Sequence, residues 1–246
     1  FYADEMENRS QASYGMMSRE TMDHVVREAL SFAGRSCSFA FQGGEPTLAG
    51  LSWFRAFVEA VKGCNRKNLA VTYALQTNGL LLDEEWCGFL AENHFLVGLS
   101  LDGLRPTHDA FRKDASGGDT FFRVMEKADL LRRWGVDFNI LTVVHARTAP
   151  RIRRIYETYK KQGFRWQQYI ACLDPLDEER GTSPYSLTPE AYGDFLIELF
   201  GLWYADARQG RQPYIRQFEN YLGILLGYEP EACDQRGACS VQYVCE

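Results

Sequence analysis

Short apolar runs alternate with longer amphipathic segments along most of the chain. Bounded apolar runs of this length are typical of buried strands, and apolar residues at helical spacing predict helices. The first helix is predicted from the N-cap Ser18 to about Ala33, just before Gly34. The predicted strands are Cys37–Phe41, Ala70–Leu75, Phe95–Leu101, Phe138–Val144 and Trp166–Cys172, and the further helices are Trp53–Val61, Asp83–Ala91, Thr120–Trp134 and Pro150–Gln162.

This alternation predicts an α/β fold, because near-continuous apolar strands are typical of a parallel sheet covered by helices. A barrel, a partial barrel and a doubly wound sheet all remain open, since periodicity does not separate them. The rhythm changes beyond Asp174, where a charged loop extends to Ser186. Two helices are predicted after that loop, at 188–207 and 215–226, and the last segment, 233–246, lacks periodicity.

Composition narrows the class of protein. Hydrophobic residues make up 46% and aromatic residues 14%, which excludes a disordered chain. The net charge of −6 gives no basic field for phosphates, so we expect no nucleic-acid partner. No apolar run is long enough to cross a bilayer, and we expect no membrane partner. No signal peptide is visible, so we expect a cytoplasmic protein. In that reducing compartment, clustered cysteines are more often metal ligands than disulfides, and the clustered cysteines here are Cys233, Cys239 and Cys245.

The most informative segment is Gln42-Gly43-Gly44-Glu45-Pro46, directly after the first predicted strand. Two glycines permit unusual backbone angles, so a ligand can lie against the strand end. Glu45 adds a carboxylate, which suits an ammonium group of a ligand. A plain turn with a solvated glutamate is an equally ordinary reading of these few residues.

Polar groups also follow three other predicted strands: Gln76-Thr77-Asn78-Gly79, then Ser100-Leu101-Asp102-Gly103 with His108-Asp109 and Arg112, and finally Asp174. Ligands of α/β proteins bind at the carboxyl ends of strands, so these groups predict one site. The histidines lack metal-ligand spacing, and we expect a surface or capping role for His108.

Gly-Gly-Glu-Pro at a strand end of a repeated α/β chain resembles the radical S-adenosylmethionine (radical SAM) enzymes. The resemblance implies a partial (β/α)6-type barrel, with Gly43, Gly44 and Glu45 on the SAM ammonium group. Phe-Tyr follows the three cluster-binding cysteines in one subgroup of that family, and this chain opens with Phe1-Tyr2. We therefore expect a fragment truncated at its N-terminus, with the ligands of the catalytic [4Fe-4S] cluster upstream of Phe1.

Cys233-x5-Cys239 resembles the start of the cysteine-rich SPASM extension, in which cysteines hold further [4Fe-4S] clusters. Thiolates suit such clusters because they are soft anionic ligands. Cys233 and Cys239 are thus the expected metal ligands in this chain. The implied domains are a radical SAM partial barrel at 1–175, a helical connector at 176–230 and the beginning of the SPASM extension at 231–246.

Together these motifs are most similar to the anaerobic sulfatase-maturating enzymes, which oxidise a Cys or Ser of a sulfatase to Cα-formylglycine. The resemblance implies two partners, a sulfatase polypeptide and an electron donor such as a flavodoxin or ferredoxin. It also implies that the catalytic acid–base residue lies beyond Glu246. The implied SAM-binding residues are Gln42, Gly43, Gly44, Glu45, Ser100, Arg112 and Leu173, and the implied substrate neighbours are Tyr2 and Asn78.

Two alternatives remain. Another SPASM enzyme could carry the same motifs and form thioether or other crosslinks in peptides. A non-catalytic α/β module that binds a peptide or nucleotide would fit a chain in which the cluster cysteines are missing. The reading frame upstream of Phe1 separates the enzyme from the module.

Overall fold

The computed structural model describes residues 15–175, 179–231, 235–237 and 243–245. Within them, strands and helices alternate as predicted, and each of the five predicted strands is present. In chain order the elements are α1 (Arg19–Phe32), β1 (Ser36–Phe41), α2 (Leu51–Cys64), β2 (Ala70–Thr77), α3 (Glu84–Glu92), β3 (Phe95–Ser100), α4 (Arg105–His108), α5 (Phe121–Arg133), β4 (Phe138–Val144), α6 (Ile152–Lys161), β5 (Trp166–Ala171), α7 (Pro189–Ala207), β6 (Tyr214–Ile215) and α8 (Arg216–Leu225).

The chain divides into two compact units. Of the described residues, the first unit comprises 15–99, 125–138 and 244–245, and the second comprises 100–124 and 139–243 apart from its undescribed positions. β1, β2 and β3 pair in parallel in the first unit, with Phe41 opposite Leu75 and Thr77 opposite Leu99.

The first unit is built around an aromatic core. β1 alternates between exposed and partly buried residues, as a strand with one covered face should. Phe41 of β1 lies with its ring 4.9 Å from those of both Phe54 and Phe57 on α2, and Tyr73 of β2 stacks on Phe95 of β3. The parallel pairing of β1 with β2, which places Phe41 opposite Leu75, brings the carboxyl ends of the two strands side by side.

β4, β5 and β6 pair in parallel in the second unit, with Val144 opposite Ala171 and Gln167 opposite Ile215. The sequence prediction missed β6 and assigned Ile215 to a helix, because a two-residue strand shows no periodicity. α7 begins with Thr188 as N-cap, whose hydroxyl accepts the Ala191 N–H, and Pro189 takes the first helical position. β6, α7 and α8 lie within the predicted helical connector at 176–230. The boundaries of that connector remain a prediction.

Candidate functional site

The loop after β1 leaves its backbone open. Gly43 and Gly44 have φ angles of 95° and 54°, in the left-handed region that favours glycine. No heavy atom lies within 4 Å of the position that a Cβ would take at either residue. Gln42, Gly43 and Gly44 are all exposed. A ligand can therefore approach the backbone of this loop without meeting a side chain.

Glu45 is held in one orientation by four hydrogen bonds. Its Oε1 accepts the Thr47 N–H at 3.1 Å, the Thr47 hydroxyl at 2.6 Å and the Thr77 hydroxyl at 2.7 Å. Its Oε2 accepts the Asn78 N–H at 2.7 Å. All of these donors are neutral, so no cation among the described residues cancels the negative charge of the half-buried carboxylate. Oε2 takes fewer donors than Oε1, and it is therefore the oxygen with acceptor capacity left for a ligand.

Asn78 supports this carboxylate through its backbone. Its own side-chain oxygen accepts the Leu80 N–H at 2.9 Å, which forms an Asx turn directly after β2. The Thr77 hydroxyl also accepts the Gly79 N–H at 3.0 Å, so the same turn fixes the donor of Glu45. Asn78 as a substrate neighbour stays a prediction. The roles of Thr47 and Thr77 were missed, although Thr77 belongs to the Gln76–Gly79 motif and Thr47 directly follows Pro46.

A second cluster of charged groups lies in the second unit, in the segment that begins directly after β3. The Asp102 side chain is 3% exposed and forms a two-point ion pair with Arg112, whose side chain is 25% exposed. Arg112 Nε lies 2.5 Å from Oδ2 of Asp102, and Arg112 Nη2 lies 3.2 Å from Oδ1. Oδ1 also accepts the Val143 N–H of β4 at 2.8 Å. The group that this cluster exposes to a ligand is therefore the Arg112 guanidinium, because the Asp102 carboxylate is almost fully buried.

His108, the last residue of α4, is fully buried, so the surface half of the expected surface or capping role is wrong. Its Nδ1 accepts the Asp102 N–H at 3.2 Å, and its Nε2 lies 2.9 Å from the Thr120 hydroxyl. Burial lowers the pKa of His108 to about 4, because the charged imidazolium loses its hydration. Asp109 accepts the N–H groups of Thr120 and Phe121 and fixes the start of α5.

The other predicted site residues are placed as follows. Ser100 is the last residue of β3 and is 6% exposed, whereas Leu173 is 75% exposed after β5. Tyr2, Cys233 and Cys239 lie outside the described residues. Each of these assignments stays a prediction.

Metal ligands and membrane spans were searched over the same described ranges. No group of three or more His, Cys, Asp or Glu side chains there could hold a metal ion. No helix there is long and apolar enough to cross a membrane.

Comparison with known proteins decides the family. The model of the radical SAM superfamily matches residues 6–159, which is more than half of the chain. The chain belongs to the radical SAM superfamily. The resemblance read from the Gly-Gly-Glu-Pro loop and the predicted α/β fold are both confirmed.

Individual relatives are more specific. The chain is 45% identical, over all its 246 residues, to a cysteine-type anaerobic sulfatase-maturating enzyme of Clostridium novyi, and it covers 66% of that protein. It is 28% identical over 239 residues to a serine-type enzyme of Bacteroides thetaiotaomicron, covering 91% of this chain and 57% of that protein. A structure of native anSMEcpe with bound AdoMet (S-adenosylmethionine) and the Cp18Cys peptide superposes with a TM-score of 0.91 at 45% identity, covering 94% of this chain and 64% of that one. The chain therefore spans just under two thirds of the cysteine-type relative.

Proposed function

We propose that this radical SAM chain is part of an anaerobic sulfatase-maturating enzyme of the cysteine type. Its substrate would be a cysteine in a sulfatase polypeptide, oxidised to Cα-formylglycine. The observation that supports this proposal most is 45% identity along the whole chain to a cysteine-type enzyme, against 28% to a serine-type enzyme.

The loop after β1 fits the methionine end of SAM. An ammonium group needs an anionic acceptor, and Glu45 Oε2 is an oriented carboxylate oxygen that no cation among the described residues neutralises. The open backbone of Gly43 and Gly44 removes the side chains that would block such a ligand. Gln42, Ser100, Arg112 and Leu173 are proposed as further SAM-binding residues. When bound, SAM and a reduced [4Fe-4S] cluster supply a radical that removes a hydrogen atom from the substrate β-carbon.

The protein's own contribution is to bind, orient and shield the reactants, because the cofactors carry the reactivity. Thr47, Thr77 and the Asn78 N–H keep the Glu45 carboxylate in place before any ligand arrives. Such preorganisation lowers the entropic cost of orienting the bound molecule. The ligands of the cluster are proposed upstream of Phe1, and Cys233 and Cys239 are proposed as ligands of a further cluster.

The proposed partners follow from the same chemistry. An electron donor such as a flavodoxin or ferredoxin is proposed, because the cluster must be reduced before it can cleave SAM. The sulfatase polypeptide is the proposed substrate, and the cytoplasm is the proposed location.

The function is tested with the full-length protein, reconstituted without oxygen and given a sulfatase-derived cysteine peptide. Mass spectrometry should find the cysteine side chain converted to an aldehyde. A thioether crosslink would favour another SPASM enzyme, and ligand binding without turnover would favour a non-catalytic module.

The SAM assignment is tested separately with Glu45→Gln in the same protein. The amide keeps the size of the side chain but removes the charge that would face an ammonium group. Affinity for S-adenosylhomocysteine, measured by calorimetry, should fall roughly ten- to a hundredfold. Equal affinity for the variant and the parent protein would overturn the assignment of Glu45.

A further inference from the structure

Arg112 uses only one of its two hydrogen-bonding edges within the structure. The edge formed by Nε and Nη2 donates to the Asp102 carboxylate. No acceptor for Nη1 is found among the described residues, and the side chain remains 25% exposed. A guanidinium binds carboxylates through two parallel N–H groups, so the edge formed by Nη1 and Nη2 is available for a second carboxylate.

Asp102 is fixed from several directions, which makes it a rigid partner for Arg112. Its Oδ1 accepts the Val143 N–H, its backbone N–H donates to His108, and its carbonyl accepts the Thr107 hydroxyl. With a side chain only 3% exposed, Asp102 has almost no contact with water. The carboxylate that accepts from the Arg112 guanidinium therefore has a fixed orientation.

His108 links the two members of this ion pair through their backbones. The Thr120 hydroxyl donates its single hydrogen to the Arg112 carbonyl at 2.8 Å, so its oxygen accepts from His108 Nε2–H. Nδ1 must then be the unprotonated nitrogen, which agrees with its acceptance of the Asp102 N–H. A neutral imidazole thus connects the backbone of Asp102 to that of Arg112 through Thr120.

We infer that Asp102 and His108 are positioning residues for Arg112, and that they hold its Nη1–Nη2 edge ready for the carboxylate of the methionine part of SAM. The inference rests on the proposed function for the identity of the ligand. It goes beyond the assignment of Arg112, because it gives two buried residues a role in recognising one chemical group. The ligand's adenosine part plays no role in this contact.

Two ligands separate this role from a purely structural one. S-Adenosylhomocysteine carries the amino acid group, and 5′-methylthioadenosine keeps the nucleoside and sulfur but lacks that group. Affinities of the full-length reconstituted protein for both are measured by calorimetry. Asp102→Asn and His108→Leu should weaken S-adenosylhomocysteine binding roughly ten- to a hundredfold and leave 5′-methylthioadenosine binding unchanged. The ratio of the two affinities is unaffected by any unfolded fraction of a variant.

Two further variants serve as controls. His108→Asn places an amide oxygen where Nδ1 accepts the Asp102 N–H, and it should restore part of the affinity that His108→Leu loses. Asp114→Asn breaks a different ion pair of the same unit, the one between Asp114 and Arg123, and should not change the ratio.

Two results would overturn the inference: an unchanged ratio of the two affinities in both Asp102→Asn and His108→Leu, whether neither affinity falls or both fall equally, or no restoration of the ratio by His108→Asn. A parent protein that binds neither ligand would instead contradict the proposed function, so the two failures are distinguishable.

Discussion

Glu45 in the first unit and Asp102 in the second are two carboxylates that each follow a strand, and the structure uses them in opposite ways. Among the described residues Glu45 accepts from hydroxyl and amide donors alone, so its negative charge stays available to a ligand. Asp102 accepts from a guanidinium, so the group that meets a ligand there is the positive Arg112. Neighbouring donors, more than the acidic residue itself, therefore decide which charge a strand end presents.

The largest expected effect comes from removing Asp102, a nearly buried carboxylate, from its ion pair with the partly buried Arg112. Asp102→Ala leaves Arg112 without its counter-charge and the Val143 N–H without its acceptor. The free energy of unfolding, measured by urea denaturation, should fall by about 3–5 kcal/mol. Glu45→Ala should cost clearly less, because it strands only neutral donors. An equal loss for both variants would remove the distinction between the two carboxylates.

The second prediction concerns acid sensitivity in the second unit. Burial lowers the pKa of His108 to about 4 from an ordinary value of 6.5, so the unfolded chain binds the proton more readily than the folded chain. The contribution of His108 to the free energy of unfolding is fully present above pH 6.5 and is lost as the pH falls towards 4, by on the order of 3 kcal/mol. Burial also lowers the pKa of His145, so the share of His108 is measured as the difference between the parent protein and His108→Asn. The free energy of unfolding is measured by urea denaturation at several pH values. The same dependence on pH in the parent protein and in His108→Asn would contradict this assignment.

A smaller effect is expected from the donors of Glu45. Thr77→Val keeps the branched shape of the side chain and removes the hydroxyl that Glu45 and the Gly79 N–H share. The free energy of unfolding should fall by about 1–2 kcal/mol. Affinity for S-adenosylhomocysteine should fall with it, because Glu45 loses one of its fixed donors. A loss of stability with unchanged affinity would show that the hydroxyl does not orient the carboxylate.

The smallest effect on the free energy of unfolding is expected from an exposed hydrogen bond between two neutral side chains in the first unit, which serves as the reference for Thr77→Val. Ser38 and Thr72 share a hydrogen bond of 2.7 Å on the exposed face of β1 and β2. Ser38→Ala should change the free energy of unfolding by less than about 0.5 kcal/mol, because water replaces an exposed partner. A larger loss would mean that the value for Thr77→Val contains a general cost of removing hydroxyls from these strands.

Elements with a strong pattern were predictable, and contacts between distant residues were not. β4 was predicted at its observed bounds because Phe138 to Val144 is apolar except for two residues, Asn139 and Thr142. The short helix α4 and the strand β6 were missed because neither is long enough to show a period.

The site divides in the same manner. Glu45 stood out because a glycine pair precedes it, and Arg112 because a charged cluster surrounds it. The burial of His108 was not visible, since its partners are the backbone of Asp102 and a hydroxyl that lies twelve residues further along the chain. Polar residues next to charged ones suggest solvent, and only the fold shows that their hydrogen bonds are satisfied internally.

The hydrogen bonds of Glu45 also have an evolutionary consequence. Thr47 and Thr77 come from two different strand ends, yet both donate to the same oxygen, Oε1. A lineage that lost the carboxylate would leave both hydroxyls without an acceptor, and selection on the two threonines would relax at the same time. We expect positions 45, 47 and 77 to change together among related sequences. The residues at these three positions would then indicate which lineages have kept the ligand.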